Sequence, residues 1–169
     1  ALSGNLINDG TFTSGSRTVT INPGVSEFQY YRAITVDHTK VSASNQVNFP
    51  VLVSGTYSYL ATTQNGGKVL NASGYDVGFY TNSNCSSGKM PWETETYTAS
   101  SGLVNYWVRV PVLSSSTDTV FYMCYGNSNI STDQSNAPAT WDPGYKLVSH
   151  LPNGSTLSAV DSTYFGNNG

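Results

Sequence analysis

The sequence predicts an all-β domain, an antiparallel sandwich of jelly-roll type with β-strand extensions at both termini. Three observations carry that prediction. Apolar residues recur at every second position in short runs, Gly, Asn and Ser separate those runs, and no segment holds an apolar period of 3.6. At 169 residues the chain has the length of one domain with room for appendages.

Residues 1–24 read as an N-terminal β extension. Asn8-Asp9-Gly10 is a turn between two short β-prone runs, and Ser16-Arg17-Thr18-Val19-Thr20-Ile21 is an alternating strand that stops at Asn22-Pro23-Gly24. It resembles one rung of the asparagine- and glycine-punctuated repeats of large bacterial surface proteins. A single rung cannot bury its own apolar face, so it must lean on the main domain or on another molecule.

The sandwich itself is expected over residues 25–147. Residues 32–37 form a half-buried strand with Ile34 and Val36 inward. Residues 49–53 form the next, and Pro50 marks a strand start or an edge. Residues 57–60 fit either a turn of helix or a strand, Asn65-Gly66-Gly67 breaks the chain, and residues 75–80 resume the alternation. Residues 90–97 put Trp92, Thr94 and Thr96 on one face and Glu93, Glu95 and Tyr97 on the other.

The expected heart of the core is the stretch from Leu103 to Asn127, read as a hairpin. Its first run alternates Val104, Tyr106, Val108 and Val110. Its second is apolar on both faces, with Val120, Tyr122 and Cys124 on one and Phe121, Met123 and Tyr125 on the other. Such a strand belongs in the middle of a packed structure.

Composition narrows the function. Charged residues are 10% of the chain, against a usual share of about a quarter, and Ser, Thr, Asn, Gly and 12 tyrosines supply the polarity, as in many secreted β-proteins. A net charge of -3 leaves no electrostatic footprint for nucleic acid or an anionic membrane, and no apolar run is long enough to span a bilayer. The only cysteines, Cys85 and Cys124, lack zinc or redox spacing. A disulfide between them is expected, worth roughly 4 kcal/mol on the chain-entropy estimate and implying an oxidising, extracytoplasmic setting.

Five motifs in series carry a resemblance. Tyr31-Arg32-Ala33-Ile34-Thr35-Val36-Asp37, Asn48-Phe49-Pro50-Val51-Leu52-Val53, Gly74-Tyr75-Asp76-Val77, Tyr106-Trp107-Val108-Arg109-Val110-Pro111 and Tyr122-Met123-Cys124-Tyr125-Gly126-Asn127 together resemble the bacterial domain of unknown function DUF2341, over about residues 28–145. The resemblance implies a large secreted or surface protein, often with a concanavalin-like, laminin-G-type lectin domain following. Residues 148–169 form a C-terminal extension, and residues 141–151 and 161–169 resemble the entry into such a lectin domain. The rest of that domain is not in this sequence, so its sugar and calcium chemistry does not transfer, and the family name implies no activity.

No catalytic constellation is expected. The histidines are His38, in a polar turn, and His150, in the tail, and neither lies in a nucleophile-elbow pattern. Glu93 and Glu95 share a strand face, which reads as a solvated face in preference to a glycosidase pair. Asp118, Asp133 and Asp142 sit in loops that a calcium ion could recruit, without EF-hand spacing, so no cofactor is expected and calcium is the one to test. Trp107 and Arg109, two apart and outward, would make a flat platform for a sugar ring or a partner, unless the second face is covered and Trp107 is core; Trp92 and Trp141 share that ambiguity. Four N-x-S/T sequons weigh little in so Asn- and Ser-rich a chain.

The expected function is therefore a non-enzymatic structural or adhesive module of a bacterial extracellular or cell-surface assembly. Its partners would be other copies of itself or neighbouring surface proteins, joined by strand exchange through residues 16–21 or through Thr156-Leu157-Ser158-Ala159-Val160. The alternative is a carbohydrate-binding module of a larger secreted protein, with glycans as partners. A hydrolase has no constellation behind it.

Overall fold

In a computed structural model of the chain, residues 11–14, 17–20, 27–151 and 158–169 are described. The strands are β1 Thr11–Ser14, β2 Arg17–Thr20, β3 Tyr30–Val36, β4 Gln46–Thr56, β5 Val77–Tyr80, β6 Trp92–Thr98, β7 Leu103–Leu113 and β8 Thr119–Tyr125, and a single turn of α-helix, α1, covers Ala137–Thr140. Six of the strands form two three-stranded sheets in the orders β3-β8-β5 and β4-β7-β6. Every pairing in them is antiparallel, and the two sheets pack as a sandwich.

The alternation read from the sequence places the core. Val104, Tyr106, Val108 and Val110 of β7 are buried against Phe121, Met123 and Tyr125 of β8. Phe79 of β5 lies edge-on to Trp92 of β6 at 5.9 Å and to Tyr106 of β7 at 5.4 Å. β5 therefore lies over β6, and β3 lies over β4. Trp92 is core, 3% exposed.

One expectation is corrected. β7 and β8 are not a hairpin: β7 is the middle strand of one sheet and β8 the middle strand of the other. The polar loop between them arches from one sheet to the other, so the two strands meet face to face through their apolar sides across the core and not edge to edge. The outer face of β8 is apolar too. There Tyr80, Cys85 and Cys124 cluster with Phe28 and Tyr122, and Cys85 is disulfide-bonded to Cys124 across a Cα–Cα distance of 6.3 Å.

A second correction concerns β6. The ladder slips between Thr94 and Thr96, so Tyr97 pairs with Val104 and turns to the core side beside Trp92, its hydroxyl donating to Leu60 O at 2.9 Å. Burial, with the Asp76 charge nearby, pushes the Tyr97 phenol up to about 12. Residues 57–60 resolve into a 3-10 turn, Ser58–Leu60, that drops Leu60 into the core at 0% exposure. Gly102 makes room for that turn: at φ +70, a Cβ there would lie 2.1 Å from Tyr57 O.

β1 and β2 form a separate two-stranded sheet with Phe12 opposite Val19. Ser16, Ile21, the Asn8-Asp9-Gly10 turn and the Asn22-Pro23-Gly24 stop lie outside the described residues. So do Thr156 and Leu157. Ser158, Ala159 and Val160 are not in a strand, contrary to expectation. They run into a loop gathered round Asp161, which accepts hydrogen bonds from the amides of Val148, Thr163 and Asn167 and from the Thr163 hydroxyl. The Gly169 amide returns to Ala159 O at 3.1 Å.

Candidate functional site

Trp107 and Arg109 do share the outer face of β7, but that face is not an open platform. Trp141, just past α1, packs against Trp107 with ring centroids 5.3 Å apart, and the His150 ring stacks on Trp107 at 6.1 Å. Arg109 Nη1 donates to Ala139 O at 3.0 Å, tying α1 to the sheet. Nothing in the spacing of residues 137–150 signalled that they would cover a sheet. The only cue was their aromatic content.

Glu93 and Glu95 anchor this covering segment. Trp141 Nε1 donates to Glu93 Oε2 at 2.7 Å, Trp107 Nε1 donates to Glu95 Oε2 at 2.7 Å, and the Ser162 hydroxyl donates to Glu93 Oε1. His150 is wedged between the two acids, Nε2 3.2 Å from Glu93 and Nδ1 3.3 Å from Glu95. The Nε2 contact is an ion-pair distance without hydrogen-bond alignment. A cleft of about 630 Å³ opens beside this group, its sheet wall carrying Thr94, Thr96 and Asn105.

A histidine, two acids and a serine thus meet, which their spacing in the chain did not foretell. The hydroxyl of Ser162 is spent on Glu93, and no hydrogen bond joins it to His150 among the described residues. Glu93 holds an indole and a hydroxyl at once. The arrangement works as a latch for the C-terminal segment.

The second histidine makes a smaller cluster at one end of the sandwich. Asp118 Oδ1 accepts from His38 Nδ1 at 2.7 Å, and Asp37 Oδ1 accepts from the Thr39 amide at 2.8 Å and its hydroxyl at 2.7 Å. Hydrogen bonds from the His38 side chain and backbone hold the Asp118 carboxyl below its usual range. Asp37, His38 and Asp118 lie within 4.8 Å of one another by ligand atom, so the structure gathers Asp118 with these two and not with Asp133 or Asp142. Asp133 and Asp142 each cap a local turn, through the Ser135 and Gly144 amides.

The largest difference across the surface lies at the strand edges. At β5 the chain closes its own edge: the Thr81 amide donates to Gly88 O at 3.0 Å and the Met90 amide to Phe79 O at 2.8 Å. At β6 the Asn136 amide donates to Trp92 O at 2.7 Å. On the opposite side, β3 and β4 have no backbone partner among the described residues except β8 and β7. β4 is eleven residues long. An apolar groove of about 690 Å³ follows its free edge, reaching from Val36, Val41 and Val51 on the core side round to Leu52 and Trp107 on the outer face. Phe49 and Leu52 on this edge are 42% and 46% exposed.

No helix among the described residues is long and apolar enough to cross a membrane. No protein-family model, curated protein or solved structure matches the chain.

Proposed function

We propose that this chain is a non-enzymatic structural and adhesive module of an extracellular, bacterial-type surface assembly, which joins copies of itself or neighbouring surface proteins by strand addition. The observation that carries the reading is the open side of the sandwich. An unpaired strand edge beside an apolar groove is the surface that proteins normally shorten, charge or cover, because it templates pairing with another chain. Here Pro50 removes one donor from the edge and Lys40 stands at the groove, yet the groove remains predominantly apolar. The Cys85–Cys124 bond suits an oxidising exterior, and the low charge weakens repulsion between copies. The resemblance to DUF2341, with its surface-protein setting, points the same way. Native mass measurement and electron microscopy at increasing concentration test the proposal, with concentration-dependent oligomers expected. A strict monomer at all concentrations would remove strand addition between copies from the reading.

A second reading, a carbohydrate-binding module, is favoured by the polar cleft beside β6. Hydroxyl, amide and carboxylate groups on one wall are the groups that recognise a polyol. A polysaccharide panel tests it. Asn105→Ala should abolish binding while leaving the fold intact, and the absence of any bound glycan would end this reading.

A further inference from the structure

We propose that the groove along β4 is an acceptor site and that its occupant is strand β2, Arg17–Thr20, of a second copy of this chain. The inference rests on the strand-addition reading above and names both halves of the contact. The acceptor half is the outer edge of β4 from Phe49 to Leu52, opposite the edge held by β7, which has no backbone partner among the described residues and runs beside the predominantly apolar groove. An incoming strand gains main-chain hydrogen bonds from that edge and burial from the groove together.

The donor half follows from what the chain leaves unattached. Among the described residues β1 and β2 pair only with each other and belong to neither sandwich sheet. A two-stranded ribbon alone is marginally stable in water, so it gains by joining a larger sheet. β2 has β1 on one side and no ladder partner on the other among the described residues, so it can add to a sheet without giving up its existing bonds. By the period of two, Arg17 and Val19 fall on one face and Thr18 and Thr20 on the other, and Val19 is the apolar residue that β2 offers to the groove. Docked this way, one copy's ribbon extends the next copy's sheet to the order β1-β2-β4-β7-β6. Donor and acceptor are different surfaces, so each copy can give and receive, and the contact propagates into a filament unless its rotation closes a ring.

The test uses the full-length chain in three forms: wild type, Val19→Asp to disable the donor, and Leu52→Lys to disable the acceptor. Leu52 is already half exposed and lies on an edge, and circular dichroism with an intact disulfide verifies the fold of both variants. Wild type should assemble. Each variant alone should stay monomeric, with self-affinity reduced at least about 100-fold. Mixed together, the two variants should form a capped 1:1 heterodimer, because each retains the half that the other lacks. Hydrogen exchange at the outward amides of β4 should slow on mixing.

Other outcomes overturn the inference in separable ways. A monomeric wild type with fast-exchanging β4 amides refutes strand addition between copies and this assignment together. A monomeric wild type whose β4 edge is protected means that the chain's own ribbon fills the groove. Wild-type assembly that survives in both variants leaves assembly standing and refutes these two surfaces. Variants that are each monomeric but form no heterodimer refute the pairing of β2 with β4.

Discussion

The β5/β6 side and the β3/β4 side of this sandwich are made from the same kinds of residue and finish differently. On the first, residues 88–90 pair with β5, Asn136 meets β6, and the Cys85–Cys124 bond ties down the outer face. On the second, strands of seven and eleven residues end the sheets with edges that have no partner among the described residues. The difference teaches that a free edge here is not a consequence of too little chain. Segments after β5 and after β8 are spent closing one side, whereas the loop between β3 and β4 bonds to the loop between β7 and β8, through His38 to Asp118 and Asn45 to Ser115, and pairs with neither strand edge among the described residues. Stability and association are divided between the two sides.

That division can be broken or sharpened by experiment, starting where the effect is largest. Phe79→Ala should lower unfolding free energy by about 3–5 kcal/mol, since Phe79 is 0% exposed among three aromatic rings on the closed side. Phe49→Ala on the open side should cost the isolated molecule only about 1–2 kcal/mol, because 42% of that residue already meets water. Urea titration of the monomer measures both, and equal effects would erase the distinction between the sides. Replacing Cys85 and Cys124 together by Ser should cost roughly 4 kcal/mol for a closed loop of 39 residues, read from the same titration.

A smaller effect is expected at the latch. Glu93→Ala leaves the Trp141 indole and the Ser162 hydroxyl without their acceptor, a loss of about 1–3 kcal/mol. Amide exchange should accelerate in residues 141–150 and 161–163 while the amides of β8 hold their rate. Acceleration in both would mean that the covering segment is integral to the core. The weakest expected effect is acid sensitivity from Asp161. Burial raises its pKa, but amide bonds from Val148, Thr163 and Asn167 and the Thr163 hydroxyl outweigh that and leave it well below the ordinary carboxyl value of 3.8. Its folded pKa is depressed, so its contribution is complete above that value and fades as pH falls through the folded pKa. Asp161→Asn should therefore flatten the decline in urea midpoint below about pH 4.

Period-two alternation made the strands legible. Ile34 and Val36 and the two faces of β8 follow from it, while Pro50, read from its missing amide donor as a strand start or an edge, lies in the edge strand β4. Pairing was less legible, because alternation says which way a side chain points and not which strand lies alongside. The two strongest runs, adjacent in sequence, therefore read as a hairpin although each is the centre of its own sheet. The bulge in β6 was invisible for a related reason: one inserted residue moves Tyr97 to the core face without changing composition. The site was the least legible part. Glu93 meets His150, 57 positions away, through a tail that has no period of its own, and only the folded sheet brings them together.

The disulfide has a consequence for a molecule pulled from its two ends. Cys85 and Cys124 close a covalent ring that contains all of β6, all of β7 and most of β8. Tension entering through one end of the chain crosses the sulfur bridge and leaves through the other end, bypassing everything inside the ring. About 130 Å of polypeptide, 39 residues at ~3.4 Å each, therefore cannot be drawn out while the bridge is oxidised. Under shear, β3, β4 and β5 can peel away, and the remaining strands stay as a knot of fixed maximum length.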